Sequence, residues 1–359
     1  MSSTWHSFMD LTIFGESHGP AVGMVLHGIE PGIVIDETKI HEQLKRRAPG
    51  KSLTSERQEE DELEILSGIY QGRTTGSPVT GIIRNKNARS EDYESISGWM
   101  RPSHADYPAL VKYHGFADPR GGGHFSGRLT AGLVAAGSIA EQALRNHFDL
   151  SVGSHIVKLG SYSEANWSAE DLIKSEKYRQ MNIPCADPDT VRDLIEKVRE
   201  EKDSIGGKLE TAILGIPAGL GDPFFDSIES RLSQLLFSIP GVKGVSFGEG
   251  ENFAGMRGSD ANDPYFLSQG QIRTRTNHNG GILGGITTGE AIVFQTVIKP
   301  TSSIGMAQTS VDIRLMEEKE KTIEGRHDPC ILLRAVPVIE AAAMLAIYDA
   351  YQKDTGFHD

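Results

Sequence analysis

Three histidines, three arginines and three consecutive glycines fall within one stretch, Arg101–Arg128, RPSHADYPALVKYHGFADPRGGGHFSGR. The histidines are His104, His114 and His124, the arginines Arg101, Arg120 and Arg128, and the glycines Gly121 to Gly123. Imidazoles exchange protons near neutral pH, and guanidiniums hold phosphate or carboxylate in a planar fork. Glycines let backbone N–H groups close on an anion, above all just upstream of a helix N-terminus. The apolar run LTAGLVAAGSIAEQAL that follows reads as that helix. Any one of these residues could belong to an ordinary surface loop; the combination is harder to dismiss and points to a site that holds an anion.

Six further stretches have the same character. LTIFGESHGPAVG places Ser17 and His18 between glycines, a tight turn that exposes a hydroxyl and an imidazole together. Residues 44–57 carry five positive charges against one negative, including Arg46, Arg47 and Arg57, either a solvated face or an arm that delivers arginines to a polyanion. NHNGGILGGITT packs four glycines, among them Gly284, where backbone can approach a flat or phosphorylated ligand. Lys299-Pro300-Thr301-Ser302-Ser303 offers an ammonium, three hydroxyls and backbone N–H groups at a strand exit, a phosphate cradle or a capped helix start. Arg257–Asp263, with Asp260 and Ala261, is a polar turn, and Arg326-His327-Asp328-Pro329-Cys330 flanks an acid with cations.

The elements that must position these residues are legible in outline. Asp36–Arg47 reads as a helix capped by Asp36, with Ile40 and Leu44 at helical spacing. Helices are also expected at Gly127–Phe148, around Val191, Leu194, Ile195 and Val198, at Ser227–Phe237 and at Val338–Tyr351. Strands are expected at Val22–His27, Val152–Leu159, within Asp203–Gly221, at Val242–Phe247 and at Glu290–Ile298, with a turn-rich hairpin over Ile65–Arg84. Residues 160–190 read as a polar excursion, and the charged segment before Arg326 as helical. A short echo links VLHGIEPGI (25–33) to AILGIPAGL (212–220), and Thr74-Thr75-Gly76 to Thr287-Thr288-Gly289. It suggests two similar α+β halves on one core, so 1–359 reads as a single domain.

Composition narrows the function. With 359 residues, 38% of them hydrophobic and 24% charged, the chain suits a globular protein. A formal charge of −13 disfavours nucleic acid as the partner. Two cysteines, Cys185 and Cys330, argue against a disulfide scaffold or a cysteine-rich metal site, and no metal is expected. No apolar run approaches the roughly 20 residues of a membrane span, and no signal pattern opens the chain, so a cytoplasmic protein is expected.

In their order and over nearly the whole chain, these motifs resemble the chorismate synthase family: Gly15-Glu16-Ser17-His18-Gly19, Arg101-Pro102-Ser103-His104-Ala105-Asp106-Tyr107, Gly121-Gly122-Gly123 with Arg128, Gly280 to Ile286, Lys299 to Ser303 and Arg326 to Cys330. The resemblance implies an α+β fold of β-α-β sandwich layers related by a pseudo-twofold, assembled as a homotetramer. It implies a lyase that converts 5-enolpyruvylshikimate 3-phosphate to chorismate by 1,4-anti elimination of phosphate, with reduced FMN required. His18 would protonate the departing phosphate, His104 would balance the charge of the reduced flavin, and Asp328 would lie near flavin N5 and assist loss of the C6 proton. FMN would be held by His124, Phe125, Ser126, Asp260, Ala261, Gly284, Lys299, Pro300, Thr301, Ser302, Ser303 and Arg326. Ser17, Arg46, Arg47, Arg57 and Arg128 would bind substrate or the phosphate of NADPH, a possible flavin reductant. The chain departs from the family pattern at His124-Phe125, where Arg-Ser is usual, at Lys51-Ser52-Leu53, where another arginine is usual and Arg57 stands nearest, and at Ser103, where glycine is usual. It also lacks the Arg usual before Gly-Glu-Ser-His, having Asp10-Leu11-Thr12. An FMN-dependent reductase acting on a phosphorylated small molecule is the alternative, and an anion- or RNA-binding module using Lys45–Lys51 the non-enzymatic one.

Overall fold

The computed structural model describes residues 3–49, 53, 61–86, 98–323 and 327–355; Arg57 and Arg326 lie outside them. Two five-stranded antiparallel sheets form the outer layers. The first runs Thr4–His6, Asp10–Gly15, Ala21–His27, Val79–Arg84, Leu63–Ser67. The second runs Val242–Phe247, Ile292–Ile298, Gly207–Leu214, Ser151–Leu159, Tyr162–Ser163. Between them the helix Thr130–His147 packs on the first sheet and Leu332–Thr355 on the second, and the two helices pack on each other. Glycine makes that crossing close, because a Cβ on Gly137 would overlap Ala341. One hydrophobic core runs through all three layers, from Met24 and Leu26 through Ile139 and Ile347 to Leu209 and Phe294. This is the α+β sandwich that the resemblance implies.

The short sequence echo has a structural counterpart. Thr74 Oγ1 donates to the Glu30 carbonyl (2.6 Å) and accepts from Ile33 N–H (2.9 Å). Thr287 Oγ1 donates to the Pro217 carbonyl (2.7 Å) and accepts from Leu220 N–H (3.0 Å). The backbone repeats as well, with Gly32 N–H on the Thr74 carbonyl (2.8 Å) and Gly219 N–H on the Thr287 carbonyl (2.9 Å). In each half a buried threonine satisfies the polar groups of the turn that follows a central strand.

Most elements fall where the pattern puts them. Asp36 caps Glu37–Arg47 by accepting from Thr38 N–H, and Ser227 caps Ile228–Ser238 by accepting from Ser230 N–H. Two expectations are corrected. The charged segment before Arg326 is a strand, Glu317–Lys321, paired with Gln308–Asp312 around Met316 at φ 54°. It lies over residues 98–101, where Trp99 Nε1 donates to the Lys319 carbonyl. The last helix begins six residues earlier than expected, at Leu332, and carries Pro337 inside it, because burial of Val336 and Ile339 outweighs the lost N–H bond. The polar excursion carries the helices Ala169–Leu172 and Ser175–Arg179 and is tied to the second sheet: buried His155 sits between Glu164 and Glu210, with Trp167 stacked on its ring at 4.1 Å.

Candidate active site

The turn carrying Ser17 and His18 rests against the three glycines. Gly121, Gly122 and Gly123 have φ of 59°, 83° and 53°, a left-handed run that only glycine follows without strain. A Cβ on Gly121 would stand 2.7 Å from the His18 ring and 2.8 Å from Ser17 Oγ, so the histidine lies directly on this backbone. Ser17 N–H donates to the Gly123 carbonyl (3.1 Å). His124 contributes to the same junction. Its Nδ1 must carry the proton, because it lies 2.8 Å from the Gly15 carbonyl, and Nε2 then accepts from Ser3 Oγ (2.6 Å). Both ring nitrogens thus have protein partners. Phe125 is half-exposed and packs edge-on to Tyr113, and Ser126 caps the short turn Gly127–Leu129 that leads into the helix Thr130–His147.

Arg128 stands on that turn, and the pattern of its partners was not legible in the sequence. Its guanidinium donates to Asp61 and, through Nε, to Asn85 Oδ1 (3.0 Å). The other Asp61 oxygen accepts from Arg47 Nη2 (2.8 Å) and Nε (3.2 Å), so one buried carboxylate holds two buried guanidiniums. Burial alone would raise the Asp61 carboxyl, but Arg47 and Arg128 together hold it below the usual range. Arg46 turns the other way, onto buried Glu340 (2.6 Å), which also takes Arg179 (3.3 Å).

A second cluster forms around His104. Its Nε2 meets Ser303 Oγ at 2.9 Å, while Lys299 Nζ donates to Ser302 Oγ (2.7 Å) and to the Ser103 carbonyl (3.0 Å). Ser103, in the position where the family has glycine, takes the left-handed φ of 58° that explains the usual residue. Burial first, then Arg101, with smaller contributions from Lys299 and His327, drive the His104 imidazole down to about 4, against an opposing pull from Asp106. His104 is therefore neutral at pH 7 in this site and not a standing cation. Among the described residues Thr301 Oγ1 is buried with no hydrogen-bond partner, and Ser204 Oγ donates to the Thr301 carbonyl (2.6 Å). A buried orphan hydroxyl two residues after a partly desolvated ammonium suits an anionic group such as a phosphate.

The residues between Asp328 and Arg334 connect the two clusters. Arg334 Nη1 donates to Asp328 Oδ2 (2.5 Å) and its Nε to the Arg47 carbonyl (3.0 Å), and His327 is close enough to His104 to act on its charge. Arg334 was not singled out by sequence; its place in the first turn of the last helix, six residues after Asp328, was the available signal. Beside it a cavity of about 500 Å³ is lined by Arg46, Ile183, Leu333 and Arg334.

Asp260, Ala261 and Gly284 are not brought to these clusters within one chain. Ala261 lines an open cleft with Asp263, Asn279 and Leu283. Gly284 is at the tip of the Ile282–Leu283 and Ile286–Thr287 hairpin. The next residue, Gly285, packs on Gly221, whose N–H donates to Asp354 at the far end of the last helix. At a rise of about 1.5 Å per residue, the twenty residues from Arg334 to Asp354 separate the two ends by about 30 Å.

With this geometry in place, comparison with known proteins is specific. A family model described as chorismate synthase matches residues 9–352. Curated relatives described as chorismate synthase include one from Thermococcus gammatolerans, 44% identical over 95% of each chain, and one from Methanosarcina barkeri, 44% identical over 94% of this chain and 93% of that one. A crystal structure described as chorismate synthase superposes with a TM-score of 0.76 at 28% identity, covering 98% of this chain and 93% of the other.

Proposed function

The chain belongs to the chorismate synthase family, and from that premise we propose how its own residues carry the reaction. The protein is a carbon–oxygen lyase that releases phosphate from 5-enolpyruvylshikimate 3-phosphate to give chorismate, a step of aromatic amino acid biosynthesis. In our reading His18 gives its proton to the departing phosphate, with Ser17 beside it. Arg47 and Arg128, held side by side by Asp61, receive the anionic substrate, and Arg334 adds a third guanidinium next to Asp328. Arg46, paired with Glu340, lines the adjoining cavity. Asp328 assists loss of the C6 proton. The substrate carries a phosphate and two carboxylates, which is why an acidic chain gathers its cations here.

We assign FMN to the Lys299–Ser303 segment with His104, where the orphan Thr301 hydroxyl and Lys299 fit an anionic cofactor. From the His18 cluster Phe125 and Ser126 would reach the same flavin, and His124 would act through Gly15 and Ser3. Reduced FMN held there would supply an electron-rich ring able to stabilise the elimination without net oxidation. The flavin could take its electrons from NADPH or from an external supply, and we place the protein in the cytoplasm; among the described residues no helix is long and apolar enough to cross a membrane. We read 1–359 as one domain and the assembly as a homotetramer. In it Asp260, Ala261 and Gly284 would reach the flavin of a neighbouring copy. Apolar Leu267 and Ile272, 77% and 69% exposed on the hairpin beside them, favour such a contact.

The observation that carries this reading is the run of contacts from His18 on the glycines, and from Arg128 through Asp61, Arg47 and Arg334 to Asp328, with the adjacent His327 close enough to His104 to act on its charge. The test is an anaerobic incubation of protein, reduced FMN and 5-enolpyruvylshikimate 3-phosphate. Chorismate and phosphate should form over many turnovers while the flavin stays reduced. One flavin oxidised per product would favour the reductase alternative. His18→Ala should lower kcat by about 10²–10⁴-fold, the span for a general acid.

A further inference from the structure

Asn85 follows the strand Val79–Arg84, and its side-chain amide meets three partners in the site. Nδ2 donates to the carbonyl oxygens of Gly19 (2.8 Å) and Glu16 (3.1 Å), the two that bracket Ser17 and His18. Oδ1 accepts from Arg128 Nε (3.0 Å). Its backbone N–H also donates to the Pro20 carbonyl (3.1 Å). Carbonyls only accept and a guanidinium only donates, so this orientation of the amide is the one that satisfies all three groups. No other side chain type of this size combines two donors with an acceptor in this way.

These contacts tie the proton donor to the anion-binding arginine. Arg128 is held at one side by Asp61, which is itself fastened to Arg47. Asn85 takes Arg128 at another edge and grips both ends of the Glu16–Gly19 turn. The His18 ring meanwhile lies against the Gly121 backbone, so the turn has little room to shift. We propose that Asn85 is a positioning residue for the reaction: it couples Arg128 to the Glu16–Gly19 turn and sets where His18 stands when phosphate leaves. This rests on the reading of His18 as the proton donor.

A double-mutant cycle tests it on the full-length enzyme with reduced FMN and substrate. Asn85→Asp keeps the size and the acceptor for Arg128 but loses both donations to the turn. It should lower kcat about 10–100-fold, the cost of misplacing a reacting group by an ångström or less, with KM changed less than about threefold. In the His18→Ala background the same change should cost nothing further, because residues acting as one unit are not additive. Asn85→Ala should repeat the pattern, and melting curves identify any variant that fails to fold. Wild-type kcat in both Asn85 variants, or a loss that multiplies that of His18→Ala, overturns this inference alone. A fully active His18→Ala enzyme overturns the proton-donor reading and this inference with it.

Discussion

If His104 answers the charge of a reduced flavin, it must gain a proton as the flavin binds. Buried, and facing Arg101, Lys299 and His327, its imidazole titrates at about 4 in the ligand-free protein, so at pH 7 roughly one molecule in a thousand carries the imidazolium. Making that form half-populated at pH 7 means raising the value by about three, which takes about 4 kcal/mol of new interaction at 1.36 kcal/mol per pH unit. An anion among these cations can supply it, since it reverses the field that depressed the imidazole. Flavin binding should then take up about half a proton per site at pH 7 and close to one near pH 5.5. Calorimetry in two buffers of different ionisation heat measures this directly, and His104→Gln cancels protons exchanged by the flavin itself. The wild type should show the extra proton and an affinity that weakens up to tenfold per pH unit as pH rises; His104→Gln should show neither. Equal proton counts in the two proteins would refute the reasoning and leave His104 as a neutral partner of Ser303. The same depressed value has a stability consequence in the ligand-free protein. The neutral form is favoured by folding, so stability is full above about pH 6.5 and is lost as pH falls toward 4, by about 2–3 kcal/mol after allowance for partial exposure.

His155 has the opposite sign. Glu164 and Glu210 accept from its two ring nitrogens, and their hydrogen bonds outweigh burial and raise its value, so its contribution is complete below about pH 6.5 and is lost as pH climbs through the raised folded value. The melting-temperature advantage of wild type over His155→Gln should shrink across that rise, and a constant difference would show that the ring is not charged. Gly121→Ala places a methyl group 2.7 Å from the His18 ring at φ 59°, so it should cost about 1–2 kcal/mol in urea unfolding and lower kcat as well; wild-type turnover would mean that the ring moves aside freely. Thr74→Val and Thr287→Val each leave a buried N–H and C=O unpaired in equivalent turns. Each should cost about 1–3 kcal/mol by chemical denaturation, and the two should add, because they lie in different halves.

The candidate site was legible where its chemistry depends on backbone that only certain residues can follow. Gly121 to Gly123, the Gly15–Gly19 turn and the hydroxyls after Lys299 declare themselves locally, because left-handed glycines and clustered donors have few other uses. The same holds for the caps Asp36 and Ser227 and for the repeated threonine turns. The counter-charges were not legible, because a pairing is a property of the folded chain. Nothing in the sequence separates Asp61 from the other carboxylates among 49, yet it stands where Arg47 and Arg128 converge. Asn85 is equally ordinary as a residue after a strand, and its importance comes from the Glu16–Gly19 turn being folded beneath it. Glu317–Lys321 misled for a related reason: five charged residues in a row carry no apolar period, so only pairing with Gln308–Asp312 over Trp99 makes the segment a strand. His104 shows the same limit in electrostatic form. Its type announces a proton carrier, but whether it holds the proton at rest is set by Arg101, Lys299 and His327, and Lys299 lies 195 residues further along the chain. Sequence thus names the groups that can act, while the charge each one carries before its ligand arrives follows from neighbours that only the fold assembles.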